Sequence, residues 1–199
     1  KNEFEIHYQP IVNVERSRVE TCEALIRMRD GSGTLVPPNL FVPVAEESGL
    51  IVLIGEWVLR QACIDAATWP GHISVAVNIS PLQFRAGSLL ETIESALEVS
   101  GLPANRLEVE ITESLLLDTS LDIISILHAL RQKGVRIAMD DFGTGYSSLK
   151  YLTSFPFDKI KIDRSFVKGL PDATQQLAVL RAVASLGCSL GIKTTVEGV

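Results

Sequence analysis

Cysteine is scarce in this sequence. Cys22, Cys63 and Cys188 are scattered, odd in number and without the paired spacing of a zinc site or a disulfide framework. That absence points to a reducing compartment, so the chain is expected to work in the cytoplasm. Positive charge is short as well. A net charge of −6 argues against a basic surface for a nucleic-acid polymer. It does not exclude a small phosphate-bearing ligand, because bound metal ions can neutralise a site locally. No apolar run is long enough to span a membrane and no secretory signal peptide is present, so any membrane anchor is expected outside these residues. Histidine is rare too. His7, His72 and His128 form no nucleophile triad, and each reads as a surface or internally satisfied side chain. There is no low-complexity tract and no internal repeat.

What is present is a chain of 199 residues with ordinary apolar content, enough for one large domain or two small ones. Apolar periodicity and Gly/Pro punctuation predict strands over Phe4–Val12, the first ending near Pro10, and Arg18–Met28, joined as a hairpin. A loop over Asp30–Pro38 follows, then helix over Asn39–Trp69 with a break near Ser48-Gly49. Further on, strands are predicted at His72–Ile79, Arg106–Thr112, from Val135 to the Asp140-Asp141 pair, Lys159–Asp163 and Lys193–Val199. They alternate with helices at Ser88–Ser100, Leu121–Lys133, Leu149–Ser154 and Thr174–Leu190. Gly134 after the Leu121–Lys133 helix is a typical C-terminal cap. Such alternation means parallel strands with crossover helices, in an open doubly wound sheet or a barrel.

Strand parity separates the two. Residues two apart share a face of a strand. Glu23, Leu25 and Arg27 oppose Cys22, Ala24 and Ile26; Glu108, Glu110 and Thr112 oppose Leu107, Val109 and Ile111; Lys159, Lys161 and Asp163 oppose Ile160 and Ile162; Thr195 and Glu197 oppose Thr194, Val196 and Gly198. A doubly wound sheet is covered on both faces and wants strands that are apolar throughout. One aliphatic and one charged face suits a barrel, whose interior can turn polar towards the C-terminal mouth where active sites lie.

The charged set is chemically coherent. Glu23, Asn78, Glu110, Asp140, Asp141 and Glu197 offer hard oxygen donors suited to one or two Mg²⁺ or Mn²⁺ ions. Arg27 brings a guanidinium that suits phosphate, and Lys161 an ammonium that can orient or deprotonate water. Taken alone, the Asp140-Asp141 pair is more often a solvated strand end or a helix cap than a metal site. Glu46-Glu47 reads as a solvated helix start, and Trp57 and Trp69, at helical spacing, as core.

The ordered motifs resemble the EAL domain, the cyclic-di-GMP phosphodiesterase of bacterial signalling. They run from Tyr8-Gln9-Pro10 through Glu23-Ala24-Leu25 with Arg27, Phe41-Val42-Pro43-Val44-Ala45-Glu46, Asn78-Ile79-Ser80 and Glu110-Ile111-Thr112-Glu113. They continue with Asp140-Asp141-Phe142-Gly143-Thr144-Gly145-Tyr146-Ser147-Ser148-Leu149, Lys161-Ile162-Asp163-Arg164-Ser165-Phe166 and Glu197-Gly198-Val199. The resemblance implies a TIM-like (β/α) barrel with an antiparallel first strand, and hydrolysis of cyclic di-GMP to linear 5′-pGpG with Mg²⁺ or Mn²⁺, inhibited by Ca²⁺. It implies Glu23, Asn78, Glu110 and Asp140 as metal ligands, Asp141 and Glu197 serving a second metal and the water, and Lys161 acting on that water. Gln9, Leu25 and Arg27 would contact the dinucleotide, and Glu113 would anchor the loop after Asp141. A homodimer and an upstream sensory or cyclase domain are also implied. The family pattern continues past Glu-Gly-Val with a closing unit, so residues 1–199 are expected to form an EAL-type domain truncated at its C-terminus. The competing readings are a non-catalytic cyclic-di-GMP receptor module and a protein-interaction scaffold.

Overall fold

The computed structural model describes residues 3–117, 123–143, 152, 155, 157–168 and 174–198. The chain opens with β1 (Phe4–Asn13) and β2 (Arg18–Arg29), an antiparallel hairpin, and a short β3 (Leu35–Val36) against the end of β2. Then come α1 (Pro38–Glu47), α2 (Ile51–Ala67), β4 (Ser74–Asn78), α3 (Pro81–Arg85), α4 (Leu89–Ser100) and β5 (Leu107–Thr112). The second half holds α5 (Ile123–Gln132), β6 (Arg136–Phe142), β7 (Lys159–Ile162), α6 (Thr174–Leu190) and β8 (Lys193–Val196). The sheet order is β1-β2-β4-β5-β6-β7-β8, with β3 beside β2. Every pairing from β2 to β8 along this path is parallel, and only β1 and β3 run antiparallel to β2. This is the TIM-like curled sheet, open between β1 and β8 among the described residues.

Several details differ from the sequence reading, among them the two-residue β3 inside the expected loop Asp30–Pro38. Pro10 does not end β1, which runs on to Asn13. In the described sheet β1 pairs with β2 alone, and an edge strand tolerates a proline whose missing N–H lies on the unpaired side. A short helix, α3, forms where none was expected, nucleated by Pro81 and capped by Ser80. Trp57 is 37% exposed, not core, whereas Trp69 is half-buried with its ring edge-on to Tyr8 at 4.8 Å between centroids. The predicted Leu149–Ser154 helix lies almost wholly outside the described residues.

The helices pack on the aliphatic face of the sheet. Val75, Val77, Leu107, Val109, Ile111, Ile137, Met139 and Ile160 meet Leu59, Ala62, Cys63, Ala66, Ile93, Leu127 and Leu130 in one continuous core. Each fully buried aliphatic side chain of this size contributes roughly 1.5–3 kcal/mol before entropy is counted. Arg106 ties the end of α2 to the start of β4. Its side chain is buried and donates to the carbonyls of Ala66, in the last turn of α2, at 2.6 Å and of Ile73, just before β4, at 2.9 Å.

The opposite face is charged and also buried. Glu108 and Glu110 are each 1% exposed, Lys159 6% and Lys161 1%. A wet sheet face would leave these groups in water; the curled sheet encloses them instead. Towards the N-terminal ends of the strands, Lys159 Nζ donates to Glu108 Oε1 at 2.5 Å, and Arg136 Nε stands 3.9 Å from Glu108 Oε2. Removing one member of a buried ion pair strands the other, at a cost of about 3–5 kcal/mol. Glu108→Ala should therefore lose about 3 kcal/mol of stability in urea unfolding. A loss within about 0.5 kcal/mol, as at an ordinary surface site, would mean that the pair is not desolvated.

Candidate active site

Towards the C-terminal ends of the strands the interior row consists of Glu23 on β2, Asn78 on β4, Glu110 on β5, Asp140 on β6 and Lys161 on β7, with Glu197 just past β8. Parallel registry aligns them: Asn78 pairs with Glu110, Thr112 with Asp140, and Lys161 with Thr195. Alternation on a regular strand would send Asp140 and Asp141 to opposite faces. Here β6 is bulged. Met139 pairs with Ile160 and Phe142 with Ile162, so both aspartates stand opposite the single Lys161. Asp141 takes a left-handed φ of 53°, a conformation aspartate tolerates better than most residues. The bulge thus re-aims one carboxylate without breaking the sheet.

Two glycines close the neighbourhood. Gly143 has φ +94°, and a Cβ there would lie 2.7 Å from Cζ of Phe166. Gly198 has φ +75°, and a Cβ there would lie 2.6 Å from Cβ of Arg164. Both therefore let the ends of β6 and β8 approach the turn Arg164–Phe166 that follows β7. The backbone N–H of Glu197 donates to the carbonyl of Ile162 at 3.1 Å, which fixes that carboxylate beside Lys161.

Lys161 is the hub. Its Nζ lies 2.6 Å from Glu110 Oε2, 2.8 Å from Glu197 Oε1, and 3.3 Å from both Glu23 Oε2 and Asp140 Oδ1. Burial opposes its charge, but Glu110, Asp140 and Glu23 outweigh burial and hold its pKa above that of an ordinary lysine. The carboxylates are under strain of the opposite kind. Burial pushes the pKa of Glu110 well above the usual range, and Glu23 and Asp140 add to it while Lys161 resists. Burial raises Asp141 and Glu197 as well, in both cases with Asp140 adding its repulsion.

The donor chemistry fits a hard divalent ion. One ammonium cannot neutralise so many carboxylates, and Glu110 Oε1 is buried with no hydrogen-bond partner. An orphaned carboxylate oxygen in a net-negative pocket is a place for a cation. Asn78 Nδ2 donates to Glu23 Oε1 at 2.8 Å, which leaves its carbonyl oxygen as a further neutral donor. Among the described residues no three acids, histidines or cysteines form a ready-made metal cage; the carboxylates converge on Lys161 instead.

A cavity of about 1180 Å³ opens on this row, lined among others by Gln9, Leu25, Glu23, Asp140, Lys161 and Glu197. That exceeds the roughly 300–1,000 Å³ typical of small-ligand pockets. Gln9 stands opposite Glu23 across the β1–β2 hairpin. Arg27 is not gathered into this group: its Nη1 donates to the carbonyl of Ile26, and Glu23 is held by Asn78 and Lys161. Glu113 is buried on the turn directly after β5, while the loop from Thr144 that it is expected to anchor lies outside the described residues.

The family model of the EAL domain matches residues 1–199. The chain belongs to the EAL domain family. This EAL domain is 54% identical over 199 residues to protein y4lL of Sinorhizobium fredii, covering 100% of this chain and 24% of that protein. It is 39% identical over 202 residues to the cyclic di-GMP phosphodiesterase NbdA of Pseudomonas aeruginosa, covering 100% of this chain and 26% of NbdA. Among solved structures, the PaMucR phosphodiesterase in complex with c-di-GMP superposes with a TM-score of 0.94 at 39% identity, over 100% of this chain and 82% of that one. Klebsiella pneumoniae BlrP1, solved with manganese and cy-diGMP, matches with a TM-score of 0.80 at 30% identity, over 99% of this chain and 49% of that one. The EAL domain spans about a quarter of the length of the curated relatives it matches.

Sequence reasoning missed one part of the site's surroundings. Glu46 belongs to the last turn of α1 and not to a helix start, and its Oε1 accepts a hydrogen bond from Ser80 Oγ at 2.7 Å. The spacing Ser80-x-x-Gln83 is a capping-box signature that could have announced α3.

The electrostatics set a test of the EAL site. Glu110→Gln removes a buried charge but keeps the shape, so stability in urea without metal should hold or rise by about 1 kcal/mol. Mn²⁺ binding should weaken at least about tenfold, the lower end of what outer partners alone cost. Calorimetric Mn²⁺ titration and urea unfolding of the same preparation check both halves. A clear loss of stability with unaltered Mn²⁺ affinity would make Glu110 a structural acid.

Proposed function

We propose that this EAL domain hydrolyses cyclic di-GMP to linear 5′-pGpG in a metal-dependent reaction. The observation that carries the reading is the Lys161 ammonium held among Glu23, Glu110, Asp140 and Glu197 with one Glu110 oxygen unsatisfied. The likeness to NbdA and to the c-di-GMP complex of PaMucR supports the substrate.

In this reading Glu23, Asn78, Glu110 and Asp140 hold one Mg²⁺ or Mn²⁺, and Asp141 and Glu197 serve a second ion and the water. When bound, the ions supply charge stabilisation at the phosphoryl group and a more acidic water. Lys161 acts on that water, held by its contacts with Glu23, Glu110, Asp140 and Glu197 where its ammonium can orient it. The water oxygen forms a bond to phosphorus while the bond from phosphorus to the ribose 3′-oxygen breaks. The water gives up one proton and the departing 3′-oxygen takes one up, so that oxygen ends as a hydroxyl and the phosphate stays on the 5′ side. Gln9 and Leu25, on the cavity wall, contact the dinucleotide, and Arg27 reaches a phosphate by turning from the Ile26 carbonyl. Glu113 anchors the loop after Asp141, a homodimer forms, and an upstream sensory or cyclase domain sets the rate in the full-length protein.

The full-length protein, supplied with cyclic di-GMP and Mg²⁺, should yield 5′-pGpG, and Glu23→Ala should bring the rate to background because an anionic ligand and the partner of Asn78 go together. Ca²⁺ in place of Mg²⁺ should permit binding but stop turnover, because Ca²⁺ takes more ligands at longer distances in a looser geometry. Chromatography of the products with each ion decides; full activity in Ca²⁺ or in Glu23→Ala would exclude this mechanism.

A further inference from the structure

We infer that Glu46 is a positioning residue: through Ser80 it holds the end of β4 in the conformation that aims Asn78 at Glu23 and the divalent ion. The inference rests on the metal-site reading above.

A carboxylate in the last turn of α1 is in the wrong place electrostatically. That end of a helix carries the negative pole, and Glu47 beside it adds a like charge. Glu46 is nevertheless half-buried there and directed across 34 residues of sequence onto Ser80 Oγ at 2.7 Å. Ser80 is held on all sides. Its Oγ accepts from the N–H of Leu82 at 3.3 Å, and its own N–H donates to Gln83 Oε1 at 3.0 Å. Gln83 is buried against α2, where a Cβ on Gly55 would fall 2.3 Å from Gln83 Nε2. One residue earlier, the N–H of Ile79 donates to the carbonyl of Glu110 at 3.0 Å.

Asn78 is the residue this clamp serves. It is the last residue of β4, and its side chain is exposed, so packing does not hold it. Among the described residues its side chain has one hydrogen bond, to Glu23 Oε1 at 2.8 Å. Its direction is therefore set by the backbone, and the backbone is set by strand pairing on one side and by Ser80 on the other. Without Glu46, Ser80 keeps its cap but loses the bond that ties α3 to α1. The strand end then gains freedom that a ligand-bearing side chain, held to about 0.5 Å in a working site, cannot absorb.

The test uses the full-length protein. Mn²⁺ binding is followed by electron paramagnetic resonance without substrate, and turnover of cyclic di-GMP is followed against Mn²⁺ concentration. Glu46→Ala should raise the Mn²⁺ dissociation constant about tenfold while KM for the dinucleotide stays within about twofold. Glu46→Gln keeps an acceptor oxygen and should stay within about twofold of the parent. Ser80→Ala removes this bond together with the cap on the Leu82 N–H, so it should weaken Mn²⁺ binding at least as much as Glu46→Ala, and the double variant should be no worse than Ser80→Ala alone, because the Glu46–Ser80 bond is then already gone. If Glu46→Ala fails to fold, Ser80→Ala, the smaller change, carries the comparison. Parental Mn²⁺ affinity in the Ala variants, damage by Gln equal to that by Ala, or additive losses in the double variant would each overturn the inference. A parent that binds Mn²⁺ but leaves cyclic di-GMP intact would overturn the activity reading alone, since the resonance titration still judges Glu46.

Discussion

Burying a lysine among carboxylates constrains everything around it. The ammonium of Lys161 touches acids carried by β2, β5, β6 and the end of β8, while Asn78 on β4 bonds one of them. No flat sheet brings those strands within reach of one side chain; the sheet must curl until its far strands face one another. The curl in turn requires helices only on the outside, which accounts for the aliphatic outer face and the charged inner one. The bulge in β6 and the close approaches at Gly143 and Gly198 belong to the same requirement, since each lets a strand end bend towards Lys161.

The interior carries two charged rows that behave differently. At the level of Glu108 and Lys159 one acid faces two cations, Lys159 in contact and Arg136 at 3.9 Å. One turn of the pleat further along, at Glu110 and Lys161, acids outnumber the base, and burial lifts the pKa of Glu110, Asp141 and Glu197. An excess of buried acids costs stability in the absence of a counter-charge and favours a bound cation. Two adjacent rows of one curled sheet thus carry opposite charge balance, base in excess in one and acid in the other.

Around the acid-rich row the backbone is pinned at several points that bear no chemistry themselves. Arg106 fixes the entry of β4, the Ser80 clamp its exit, and the Glu197–Ile162 hydrogen bond the exit of β8. Like charges held a few ångströms apart repel, so a pocket of this kind keeps its shape only if the strand ends cannot drift. The alternation of strand and helix supplies the sites for such pins, because each strand end runs directly into a turn with polar residues.

Much of this was legible in the sequence. The period-two alternation in Glu108–Thr112 and Lys159–Asp163 marks an aliphatic and a charged face, and with helical crossovers that pattern leaves a barrel as the economical solution. The residue types Glu23, Asn78, Glu110, Asp140, Asp141 and Glu197 declare oxygen-donor chemistry, because composition and order along the chain are local properties. Other features could not be read. The extension of β1 through Pro10 depends on which strand ends up at an edge, and the exposure of Trp57 depends on which face of α2 meets the sheet. That both aspartates stand opposite Lys161 depends on a bulge that only pairing with β7 creates, and the regular register of the sequence reading does not include it. The partnership of Glu46 with Ser80, and the unpartnered oxygen of Glu110, arise from distances between segments far apart in the chain. By itself, then, the sequence determined the alternation of elements, the two-faced strands and the kind of donors available. The tertiary structure alone decided which donors meet and with what charge balance, because burial and Coulomb interactions depend on separation in space, which no local pattern specifies.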